Sequence, residues 1–170
     1  MNDNFQKCLD LVLKSEGGYV NDPRDHGGET MMGVTKNAWS TWIKRPINDG
    51  EMARLTKEDI TPFYKALYFD KAYCPDLPIG VDYLVFDAAV NMGVGQAVRL
   101  LQRALGVVAD GAIGPNTLKA INEADAKELI QKFSDAKTTF YKGLGNFNVY
   151  GTGWLKRVAD VQAVADKMLG

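Results

Sequence analysis

Histidine and cysteine are almost missing from this chain. One histidine, His26, and two cysteines, Cys8 and Cys74, are spread over 170 residues. Zinc sites draw on closely spaced Cys and His side chains, so no metal site is expected. A Cys–His nucleophile would need His26 beside one of the thiols, and Cys8 falls on the apolar face of the first predicted helix, where a thiol packs as a small hydrophobe. No glycine-rich phosphate loop with a following lysine is present. An excess of one charge is lacking too: 20 Lys and Arg stand against 21 Asp and Glu, for a net charge of -1. Nucleic-acid binders leave a basic footprint, so that partner class is excluded. The longest apolar stretch, around 81–94, is broken by Asp82, Asp87 and Asn91. It is too short and too polar to span a bilayer, and no stable membrane insertion is expected. The polar start, Met1-Asn2-Asp3-Asn4, shows no cationic segment with an apolar core behind it, so the expected site of synthesis is the cytoplasm.

What is present suits a globular, mainly helical monomer. A chain of this length buries about 70% of its unfolded surface without a metal or disulfide staple. Phe5, Cys8, Leu9, Val12 and Leu13 recur at helical spacing and predict a first helix over 4–15. Residues 17–34 hold five glycines and one proline. They cannot sustain a helix, and 19–20 and 31–34 read as strands of a small hairpin. Thr35 is a candidate cap for a second helix. Thr56 and Asp59 have the spacing of a capping box, with Pro62 pushing the expected start toward Thr61. Residues 81–93 read as a central helix buried nearly all round. Further helices are expected over 95–105, from Gly114-Pro115, over 125–144 and over 154–169, with a glycine-rich loop at 146–153.

Glu16 carries the chemistry. It continues the apolar stripe three residues after Leu13 and four after Val12, at the point where the first helix ends. Partial desolvation and the negative end of the helix dipole both favour the protonated carboxyl, which is the state a general acid needs. Asp25 lies nine residues on, in a polar loop that favours ionisation. Two carboxylates in contrasting settings define an acid and its partner, as glycosidic cleavage requires. Thr30 supplies a neutral hydroxyl to orient a water. The competing reading is plain: glutamates at helix ends are usually solvated, and glycine-rich loops usually just turn.

The run EGGYVNDPRDHGGETMMGVT resembles the signature of glycoside hydrolase family 108. These are lysozyme-like N-acetylmuramidases found among phage endolysins and bacterial muramidases, some of them secretion activators. The resemblance implies a lysozyme-like helical fold with a small β-hairpin near the active site, and it places the catalytic glutamate at Glu16. The order also resembles phage lysozymes of the Glu-x8-Asp-x5-Thr type: Asp25 fits, and Thr30 comes one residue early. A second stretch, AAVNMGVGQAVRLLQRALGVVADGAIGPNTLKAI, is similar to a peptidoglycan-binding module found with this family. It rests on Leu101-Gln102, Leu105-Gly106, Asp110 to Pro115 and Thr117. The expected organisation is a catalytic region over 1–92 and a peptidoglycan-binding-like helical region over 93–170, packed as one compact unit.

The resemblance implies hydrolysis of the β-1,4 bond between N-acetylmuramic acid and N-acetylglucosamine, with peptidoglycan glycan strands as partner and no cofactor. Tyr19 is a candidate sugar-stacking residue, because it lies in the loop; His26 could line the cleft. Asn91 interrupts the buried helix and, with Gln96, is a candidate sugar contact or a satisfied structural amide. Two alternatives stand beside hydrolysis: a lytic transglycosylase, which needs only Glu16, and a non-catalytic wall-binding or secretion-assisting protein. Action at the periplasm and cell wall would then require a holin or a secretion system.

Overall fold

Eight α-helices and a three-stranded sheet make up the described residues, 4–22 and 28–170, of a computed structural model. The chain divides into two compact units, one from Gln6 to Leu67 and one from Tyr68 to Gly170 that also takes in Asn4 and Phe5. This spatial division and the division of sequence motifs near 92 run through the chain at different places. Among the described residues no helix is long and apolar enough to cross a membrane. Cys8 and Cys74 are buried thiols with no disulfide between them.

The first unit begins with α1 (Phe5–Glu16), whose stripe of Cys8, Leu9 and Val12 is buried as its spacing requires. Three short strands follow: β1 (Tyr19–Asn21), β2 (Glu29–Met31) and β3 (Val34–Thr35), antiparallel in the order β1-β2-β3. The expected hairpin is thus extended by one strand, and Met32 and Gly33 form a turn instead of continuing a strand. Both have positive φ, 49° and 81°, the requirement of a tight two-residue turn of the I′ kind. Thr35 caps α2 (Lys36–Ile43), its hydroxyl accepting from the Ala38 N–H.

The capping box of Thr56 and Asp59 is formed, and α3 runs Lys57–Tyr64 straight through Pro62. The expected delay to Thr61 does not occur. Proline removes one N–H from the ladder, whereas the capping box satisfies two N–H groups at the helix start. The backbone then widens into a π turn over Lys65–Phe69. The extra residue moves the buried stripe by one position, and Phe69 is buried.

The second unit is built on α4 (Val81–Met92), which packs against α5 (Val94–Leu105), α7 (Ala126–Lys142) and α8 (Phe147–Met168). Every residue of α4 from Val81 to Ala89 is buried, as a central helix must be. Phe5 joins this core, its ring edge-on to Phe69 and Phe86. Gly106, with φ 74°, ends α5, and α6 (Pro115–Glu123) starts at its proline. The expected loop over 146–153 is helical instead, as the first turns of α8. A Cβ on Gly151 would lie 2.5 Å from the Phe147 ring. The glycine lets that ring lie across the next turn, and the packing offsets glycine's weak helix propensity of about 1 kcal/mol.

Candidate active site

Glu16 is the last residue of α1 and is half-buried. Gly17 follows with φ 69° and turns the chain out of the helix. The β2–β3 turn then folds back onto the helix end, where the Met32 N–H donates to the Gly18 carbonyl at 3.3 Å. From the other side the Tyr64 hydroxyl donates to the Met32 carbonyl at 2.7 Å. Gly33 is the point on which these groups converge. A Cβ there would lie 2.7 Å from the Tyr64 hydroxyl and 2.9 Å from Oε2 of Glu16. The Glu16 carboxylate is therefore packed against backbone, with a phenol alongside, in place of the open solvation usual at a helix end. Tyr64 lies on the buried side of α3. Its ring is buried, and only the fold reveals that its hydroxyl reaches the turn beside Glu16.

The sheet register sorts the other candidates. Tyr19 pairs with Met31, Val20 with Thr30 and Asn21 with Glu29. Alternate residues face opposite sides, so Tyr19 and Thr30 do not line one surface. Thr30 is half-buried in the middle strand and also pairs with Thr35. Tyr19 is 42% exposed, and its hydroxyl donates to Oε2 of Glu29 at 2.7 Å. The bond holds the phenol above its ordinary pKa. Glu29 is held below the usual carboxylate range, first by Tyr19 and then by Lys36, whose ammonium lies 3.3 Å from Oε1. Glu29 thus stays ionised and fixes Tyr19. Sequence reading passed over it because the diagonal contact exists only once the register is set. Asp25 and His26 lie outside the described residues.

Asn91 and Gln96 belong to the second unit. Asn91 is exposed, a correction to its expected burial in α4: burial stops after Ala89, and the last turn of the helix reaches solvent. Its amide donates to Oδ2 of Asp87 at 3.2 Å. The buried polar residues of α4 are instead Asp82 and Asp87; Asp87 also accepts from Lys137 at 3.2 Å and Arg157 at 2.6 Å. Gln96 is half-buried, and its Nε2 has no hydrogen-bond partner among the described residues.

The second motif proves to be a folding device. Gln102 is fully buried, and its amide donates to Asp110, to the Ala112 carbonyl and to Thr117 at 2.9–3.2 Å. Its oxygen accepts from the Gly111 N–H. Asp110 in turn accepts from the Ala112 N–H, which with Gln102 lowers its pKa. The residues that mark the motif therefore hold the loop between α5 and α6 to itself. Among the described residues no group of three His, Cys, Asp or Glu side chains converges on a metal site.

A lysozyme-like helical fold that packs a carboxylate at a helix end, joined to a peptidoglycan module, defines a glycosidase acting on peptidoglycan. Residues 9–93 match the profile of the glycosyl hydrolase 108 family, and residues 96–159 match that of the predicted peptidoglycan domain. Among solved structures, SagA of Brucella abortus is similar at 39% identity and a TM-score of 0.85, over 97% of this chain and 95% of that one. No curated protein matches. The chain belongs to the glycosyl hydrolase 108 family.

Proposed function

We propose that the protein is an N-acetylmuramidase, hydrolysing the β-1,4 bond between N-acetylmuramic acid and N-acetylglucosamine in peptidoglycan. The observation that carries the reading is the packing of Glu16 against Gly33, beside the Tyr64 hydroxyl, within the segment matched to a glycoside hydrolase family. Glu16 acts as general acid and gives its proton to the glycosidic oxygen as the C1–O bond breaks. A water adds at C1, and Asp25 takes its proton or stabilises the oxocarbenium-like transition state. Thr30 orients that water.

Clearing of purified cell walls by Glu16→Gln tests the assignment. General acid–base catalysis contributes about 10²–10⁴-fold, so the variant should lose at least about 100-fold in rate while keeping its fold by circular dichroism. Wild-type clearing by Glu16→Gln overturns the assignment of Glu16 as the acid. Asp25→Asn should lose a large part of the rate, and unchanged activity removes Asp25 from the mechanism. Mass spectrometry of the muropeptides identifies the reaction: reducing ends mark hydrolysis, and anhydromuramic ends would replace it with transglycosylation.

A further inference from the structure

Three aromatic rings form a ladder on the second unit, and we infer that its open end, Tyr150, is a glycan-binding platform. Tyr141 of α7 stacks on Trp154 of α8 with centroids 5.0 Å apart and planes 24° off parallel. Trp154 stacks on Tyr150, one helical turn earlier, at 5.6 Å and 30°. The Tyr141 end is half-buried. Lys137 lies over its ring at 5.9 Å, and burial together with Asp87 raises the phenol's pKa. The Tyr150 end is 54% exposed, and so adds little to the core.

Fixed polar groups lie on the same unit, Arg157 and Asp87 acting on the Tyr141 end of the ladder. Arg157, three residues after Trp154, bonds Asp87 through Nη2, and its side chain is 31% exposed. Asn91 bonds the same carboxylate and is exposed. Asp87 thus fixes a guanidinium and an amide on the unit that carries the ladder. A pyranose has an apolar C–H face and a polar rim. The exposed Tyr150 ring offers an apolar face with a hydroxyl at its tip and so complements both, as amphipathic rings do at other wet interfaces. The rings lie within the segment matched to the peptidoglycan domain. That domain's marker residues, Gln102, Asp110 and Thr117, are spent on each other, which leaves ligand contact to other side chains. The platform rests on the reading of peptidoglycan as substrate and adds a binding surface formed by the second unit alone.

Co-sedimentation with purified sacculi tests it in the Glu16→Gln background, where digestion does not erode the target. Adding Tyr150→Ala should weaken binding about tenfold, the upper range for one aromatic stacking partner. Tyr150→Trp should restore it, and Val149→Ser, a change at a 75% exposed neighbour, should leave it unaltered. Equal binding with and without Tyr150→Ala overturns the platform and leaves the muramidase reading standing. An equal loss with Val149→Ser also overturns it, since the effect would then belong to the helix. No binding by Glu16→Gln itself overturns both. Wild-type wall clearing by Glu16→Gln sinks the catalytic assignment alone.

Discussion

Three glycines around Glu16 separate backbone strain from crowding of the Glu16 carboxylate, and alanine at each should give three different results. Gly18 has no positive φ and nothing within 4 Å of an added Cβ, so Gly18→Ala should change stability by no more than about 0.5 kcal/mol. Gly17 has φ 69° and the same open space, so Gly17→Ala should cost the left-handed penalty alone, about 1–2 kcal/mol. Gly33 combines φ 81° with a Cβ 2.7 Å from the Tyr64 hydroxyl and 2.9 Å from Glu16 Oε2. The same backbone penalty applies, and displacing the Tyr64 hydroxyl from the Met32 carbonyl costs about 1 kcal/mol more, for a total of about 2–3 kcal/mol. Urea unfolding measures these terms. Wall clearing under conditions where each variant remains folded measures a further one: misplacing a catalytic group by about 1 Å costs about 10²-fold. Gly33→Ala should therefore lose about 100-fold in rate, and Gly17→Ala far less. If the folded Gly33→Ala variant clears walls as fast as Gly17→Ala, the contact between Gly33 and Glu16 does not position the acid.

Two further outcomes follow from buried and bridged charge. Asp87→Asn leaves Lys137, 4% exposed, without a counter-charge, and should cost about 3–5 kcal/mol; Lys137→Met keeps the Asp87–Arg157 bond and should cost clearly less, so equal losses in urea midpoint would refute Asp87 as the organising charge. Glu51 is held at about 2 by Arg45, in a two-point bridge of 2.9 and 2.6 Å, and by the Asn48 N–H. Its folded pKa is depressed, so its stabilisation is present above the ordinary glutamate value of 4.5 and is lost as pH falls through about 2. Glu51→Gln should therefore lower stability near neutral pH, and its deficit should shrink across that window; a deficit that stays constant with pH would assign it to packing instead.

Most helices were legible because period and punctuation agreed. The stripe of α1, the Thr35 cap, the Thr56–Asp59 capping box and Gly106 all act within a few residues of themselves. Local rules failed where a distant or bulky partner outweighed them. Gly151 and Gly153 read as a loop until the Phe147 ring lay across Gly151. Asn91 read as buried because the apolar run continued past it, while the end of α4 emerges into solvent. Lys137, an ordinary surface type, is buried because α4 and α8 bring Asp87 and Arg157 to it.

By itself the sequence determined that α1 ends at an acid on its apolar face, that glycines follow to reverse the chain, and that the two family signatures stand in order. Those features depend on spacing along one chain. Only the tertiary structure decided what Glu16 touches. The Met32-Gly33 turn and the Tyr64 hydroxyl reach it from 16 or more residues away, through a sheet register and a helix whose placement is a property of packing. The same holds for Tyr19 and Glu29, and for the ladder of Tyr141, Trp154 and Tyr150. Their side chains meet because antiparallel strands and packed helices bring together positions that no local period relates.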